Sequence, residues 1–196
     1  MNLELFKPTS DILKQYINNY YILRKDDNKK TTYLTFPNPN SIVSVLDKAE
    51  LCHSPNVMDV KYNPEAPLVS DVTLSYKNPI LIRYNGLVKE VSICFKPLGL
   101  NAFMSNSTEI ANEKRPFFPY GDYKESMQEI IRLTDSHYLI EELERYLLSK
   151  LKPFDHPFLP QFVDDINNTT DTSLRELAKK YGVSLSLIHI SEPTRL

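Results

Sequence analysis

A chain of 196 residues, 41% apolar and 11% aromatic, can bury a sizeable core, either as one large domain or as a medium domain with a further fragment. Its formal charge of −2 gives no general electrostatic footprint for nucleic acid. Cys52 and Cys94 are too few for a disulfide framework, no apolar run approaches the length needed to span a bilayer, and the first thirty residues lack the order of an export signal, so a cytoplasmic location is expected.

Residues 2–10 carry Leu3, Leu5 and Phe6 ahead of Pro8 and read as an extended arm. Pro8-Thr9-Ser10-Asp11 then reads as a helix start, with Ile12, Leu13, Tyr16 and Ile17 at helical spacing. Tyr20-Tyr21-Ile22-Leu23 is β-prone and leads into the charge run 24–30, which is expected as a solvated hairpin loop. Residues 33–36 and 41–46 are expected strands joined by a turn at Pro37-Asn38-Pro39-Asn40. Residues 47–67 show no regular pattern. Segments 68–69, 72–76, 80–84 and 87–95 add further strands, and Asn85-Gly86 gives the sharpest hairpin signal in the chain. From Phe95 to Met104 the pattern changes from strand to short helix across Pro97 and Gly99.

The second half is helical. A loop over 115–121 precedes a helix from about Asp122, with Met127, Ile130, Ile131 and Leu133 facing inward. Asp135 can cap the next helix, along which Leu139, Leu143, Tyr146, Leu147 and Leu151 make an apolar stripe while Glu141 and Arg145 pair at i, i+4 on the wet side. Pro153 and Pro157 mark a linker over 153–157. Beyond it Phe158, Leu159, Phe162, Val163 and Ile166 share one helical face. Ser173 and Glu176 form a capping box, so a helix starts near Leu174 with Leu177 and Ala178 inward and Arg175, Lys179 and Lys180 toward water. Gly182 can take the positive φ that ends it, Val183 can plug the angle between two helices, and Ser184 can cap the next one. Spacing alone leaves two readings open, a surface helix with a glycine stop or the opening of a helix-turn-helix. Short strands followed by helices suggest an α+β fold, a β-barrel or sandwich with helices at one end.

The run SLRELAKKYGVS, residues 173–184, closely resembles the start of the first helix-turn-helix in AraC-type transcription regulators. The segments INNYYIL, LTFPNPNSIVSVL and VSICFKPLGLNAFM resemble, in order, the N-terminal sensor domain of a branch of that family, so the likeness runs from Phe6 to Ser184. It implies a cupin-like β-barrel for sensing and dimerisation over 1–152, a linker over 153–157, and the front of a helix-turn-helix domain over 158–184. It further implies a small-molecule effector, DNA as partner of the full-length parent, and a homodimer through the helix around Leu139, Leu143 and Leu147. Ser184 and the residues after it would enter the major groove, with Ser173, Arg175, Lys179 and Lys180 in supporting or phosphate contacts. Residues 185–196, LSLIHISEPTRL, do not suit a reading helix: Pro193 interrupts them and Arg195 is their one base. They resemble a translated sequencing adapter, a non-native tail that would truncate the domain before its recognition helix; a frayed natural C-terminus is the other reading.

Metal-binding cupins use two close histidines, a carboxylate and a third histidine. Here His53, His137, His156 and His189 are scattered, Cys52 beside His53 lacks further ligands, and Cys94 sits in an alternating strand. Neither a Walker loop nor His-Glu-x-x-His occurs. No catalytic residue, metal or cofactor is therefore expected, and the chain is not expected to be an enzyme. If the barrel binds a small molecule, Tyr33, Phe36, Tyr76, Arg83 and Tyr84 are pocket candidates by type, although aromatic strand residues equally suit a core and Arg83 an edge. The competing reading is a cupin-like small-molecule-binding protein or enzyme that does not bind DNA.

Overall fold

The computed structural model describes residues 1–74, 78–104, 116–152, 158–168 and 174–182. Among them, nine strands lie in two sheets and are followed by four α-helices, a mixed α+β arrangement. The first sheet is antiparallel and places, side by side, β1 (Asn2–Phe6), β2 (Ile17–Lys25), β9 (Val88–Phe95), β4 (Ser41–Asp47) and β7 (Val69–Thr73). The second orders β3 (Lys30–Thr35), β8 (Ile80–Asn85), β6 (Val57–Tyr62) and β5 (Ala49–Ser54), with β6 and β8 parallel. No ladder joins the two sheets at their edges among the described residues, so in place of the expected barrel there are two open sheets.

Alternation along the strands sorts the side chains into layers. In the first sheet Ile22, Val91, Val45 and Ser70 lie in one cross-strand row, and the Ser70 hydroxyl is 3.3 Å from that of Tyr123 in helix α1 (Tyr123–Arg132). This face is covered by helix. The opposite face carries Leu23, Glu90, Leu46 and Val69 in register and looks toward the second sheet. Leu23, Leu46 and Val88 meet Ala49, Val60, Ile82 and Tyr84 there in an apolar core between the sheets.

The turns do something other than expected. Residues 26–29, 37–40 and 86–87 each carry the chain from one sheet to the other, so none closes a hairpin. A Gly- or Asn-rich turn lets the chain bend, but the partner strand is chosen by burial between non-local segments, which a local signal does not encode. Lys48 takes φ 52 at a fourth such crossing, between β4 and β5. The corners are locked by Lys25, a buried cation whose Nζ donates to Asp27 Oδ1 at 2.6 Å and to the Gly86 carbonyl at 3.0 Å.

Segment 47–67, patternless in sequence, contains the hairpin of β5 and β6, reversed at Pro55-Asn56 with Asn56 at φ 56. The expected arm at 2–10 is largely β1, paired with β2 from Asn2↔Arg24 to Phe6↔Tyr20. The expected helix at 8–17 is reduced to a 3-10 turn, Leu13–Gln15, because Ile17 already belongs to β2 and the Tyr16 carbonyl accepts from Lys96 N at 2.8 Å. Gly99 makes this approach possible: a Cβ at that position would stand 2.1 Å from the Tyr16 carbonyl oxygen.

In α1, Tyr123, Met127, Ile130 and Ile131 are buried, while Leu133 lies past its end and is half-buried. Helix α2 (Ser136–Lys150) is capped by Asp135, whose Oδ1 accepts from Tyr138 N at 2.8 Å. Leu139, Leu143 and Leu147 are buried within the unit formed by Met1–Lys152. The stripe expected as a dimer contact therefore has its leucines already covered by the chain itself. Arg145 pairs with Glu142 at i, i+3 instead of Glu141.

The second compact unit, Pro153–Leu196, holds α3 (Leu159–Asn168) and α4 (Leu174–Tyr181). Phe162, Leu177 and Ala178 are buried against each other, with Phe158, Leu159 and Tyr181 around them. Gly182 has φ 63, the left-handed conformation that ends a helix at little cost only for glycine. The linker at 153–157, Ser173, Val183, Ser184 and the tail at 185–196 lie outside the described residues.

Candidate ligand-binding cavity

Between the two sheets lies a cavity of about 920 Å³. Ligand cavities commonly fall in a range of about 300–1,000 Å³. The first sheet contributes Tyr21, Leu23, Ile42, Ser44, Glu90 and Ser92 to its walls, and the second contributes Tyr33, Thr35, His53, Met58, Ile82 and Tyr84. Met1, Leu3, Phe36, Asn38 and Asn56 also line it. Apolar walls surround a polar floor.

That floor is one hydrogen-bonded chain. Tyr84 Oη donates to Glu90 Oε2 at 2.6 Å across the gap between the sheets, and Ser92 Oγ donates to Glu90 Oε1 at 2.9 Å. Ser44 Oγ lies 2.8 Å from Ser92 Oγ, and Tyr33 Oη lies 3.3 Å from Tyr84 Oη. Glu90 is 7% exposed, so its carboxyl group depends on these donors. Hydrogen bonds to a charged group contribute about 1.5–3 kcal/mol each. Burial, reinforced by Glu90, pushes the Tyr84 hydroxyl well above the ordinary phenol range, so it remains a donor at any working pH. At the cavity wall His53 Nε2 stands 3.6 Å from Asp71 Oδ2.

Tyr33, Phe36 and Tyr84 line the cavity, Phe36 with 69% of its surface exposed. Arg83 does not: it sits between Ile82 and Tyr84 on β8, so alternation turns it outward, where Nε meets Asp59 Oδ1 at 2.9 Å and a terminal nitrogen meets Oδ2 at 3.0 Å. Tyr76 lies outside the described residues. Glu90, Ser92, Ser44, Tyr21 and His53 were not among the expected site residues. One signal for Glu90 and Ser92 was present: they lie two apart on one face of β9, whose other face reads Lys89, Val91, Ile93 and Phe95.

Cys52 is exposed on the outer face, opposite in direction to His53, and Cys94 is buried. Burial pushes the Cys94 thiol up, away from the thiolate a nucleophile needs. His137 packs edge-on against Phe6 at 5.3 Å, and His156 and His189 lie outside the described residues. Among the described residues no three His, Cys, Asp or Glu side chains gather as metal ligands. Nor is any described helix long and apolar enough to cross a membrane.

In the second unit Arg175, Lys179 and Lys180 are exposed on α4. Lys180 is already paired, its Nζ 2.5 Å from Asp165 Oδ2, which also accepts from the Tyr181 hydroxyl. These donors, Lys180 first, pull the Asp165 carboxyl down to about 2. No protein-family model, curated protein or solved structure matches this chain.

Proposed function

We propose that this chain is the small-molecule-sensing part of an AraC-type transcription regulator, joined to the opening helices of its DNA-binding domain. The observation that carries the sensing half is the cavity of about 920 Å³ between two sheets, with apolar walls and a hydrogen-bonded polar floor. The cupin-like and helix-turn-helix assignments rest on the sequence resemblance. A helix that buries Leu177 and Ala178, exposes Arg175 and Lys179, and ends at a left-handed Gly182 is compatible with the supporting helix of such a motif. A ligand in the cavity would change DNA binding only as far as it favours one arrangement of the regulator over another. A gel-shift assay on the uninterrupted gene product, with DNA from upstream of its own gene, tests the reading. Retention that responds to a ligand is expected, and absence of any retention rejects DNA regulation, leaving a cupin-like small-molecule-binding protein.

A further inference from the structure

Glu90 is where two hydroxyl chains converge. A hydroxyl has one proton to give. Tyr84 gives its proton to Glu90, so the contact between Tyr33 and Tyr84 is made with the proton of Tyr33; Ser92 also gives its proton to Glu90, which leaves Ser44 to donate to Ser92. Both chains of donors thus end at one carboxyl group.

A carboxylate this buried calls for a counter-charge. No lysine or arginine pairs with it among the described residues. Lys25, the buried cation on the same sheet face, is bound to Asp27 and Gly86 at the corner. Glu90 and His53 are the acidic and basic side chains that line the cavity among the described residues. Two hydrogen bonds leave the carboxylate further acceptor positions, since an ionised carboxylate offers about four. Tyr21, Tyr33, Tyr84 and Phe36 add aromatic rings to the same walls, which attract cations through their faces.

We propose that the cavity takes an organic ammonium compound, with an apolar or aromatic body between the sheets and an amine directed at Glu90. This rests on the reading of the cavity as a ligand site. An organic anion of the same shape would meet the uncompensated charge of Glu90 and bind worst; a neutral alcohol would fall between.

Calorimetric titration of the full chain at neutral pH with 2-phenylethylamine, 2-phenylethanol and 3-phenylpropanoate, and with the matching hexyl series, tests this. The amine is expected to bind at least about tenfold more tightly than the alcohol, a margin in line with one charge-assisted contact, and the acid most weakly. Glu90→Gln should bring the amine to within about twofold of the alcohol. Should that variant not fold, the charge series on the unaltered chain decides alone. Equal binding of amine and alcohol, or preference for the acid, overturns the ammonium proposal while leaving the cavity as a ligand site. If no compound of either series binds, the ammonium proposal falls together with the sensor reading, whereas the gel-shift result bears on DNA binding separately.

Discussion

Arg83 and Tyr84 are neighbours in the chain and lie on opposite sides of their sheet. The Tyr84 hydroxyl is 2.6 Å from Glu90 between the sheets, while the Arg83 guanidinium grips Asp59 on the outer surface. Two residues of similar chemical promise thus have unrelated roles, and their substitution should separate them.

Tyr84→Phe keeps the ring in the core and removes one donor from a buried carboxylate. Stability should fall by about 1.5–3 kcal/mol, read from urea unfolding with an unchanged slope. A loss under about 0.5 kcal/mol would mean that water or another group replaces the bond.

Arg83→Ala breaks a partly exposed pair on the outer surface. Its cost should lie between about 0 and 1 kcal/mol, and binding of any cavity ligand should be unaffected. A change of tenfold or more in affinity, on the order of 1.4 kcal/mol, would return Arg83 to the site.

Gly99→Ala forces a methyl group against the Tyr16 carbonyl, which already accepts from Lys96 N. A shift of backbone is needed, at about 1–3 kcal/mol, so the melting temperature should drop. An unchanged melting temperature would show that the 3-10 turn moves aside freely.

The two thiols should react unequally. Cys52 is exposed and Cys94 buried, so a chromogenic disulfide reagent should titrate one thiol per native chain and two in denaturant. Two fast thiols in the native protein would contradict the burial of β9.

Lys180 first, then Tyr181 and Gln161, hold the Asp165 carboxyl down to about 2, below its ordinary 3.8. Because the folded value is the lower one, the stabilisation is present in full above about 4 and is lost as pH falls through about 2. Carboxyl carbon shifts followed by NMR should give that midpoint, and Lys180→Ala should move it upward. An Asp165 midpoint near 4 in the unaltered chain would remove the ion pair from the description of this unit.

How much of the molecule is legible in its sequence varies with the range of the interaction. Helix α2 is readable because its cap and its stripe are local: Asp135 bonds Tyr138, and Leu139, Leu143 and Leu147 recur every four residues. The strands at 41–46 and 87–95 are readable by composition. Their partners are not, since Asn85-Gly86 has the same local chemistry whether the chain folds back or crosses to another sheet. The hairpin over 49–62 escapes because His53 points inward while Cys52 and Glu50 point out, which blurs the apolar alternation. Parity alone sharpens the choice of pocket residues, because Arg83 and Tyr84 cannot face one cavity from adjacent positions on one strand. Glu90 by itself reads as an ordinary strand residue; the companion that marks it, Ser92, is two positions away on the same face.

The repeated crossings between sheets have a consequence for synthesis. β9 lies between β2 and β4, and it is the last strand of the nine to leave the ribosome. Until Phe95 has emerged, both of those neighbours lack their shared partner, and the edges they will pair with it stay open. The first sheet therefore cannot be joined into one until its last strand is made. A nascent chain halted before β9 keeps the inner edges of β2 and β4 open, the state in which chaperone capture competes with aggregation.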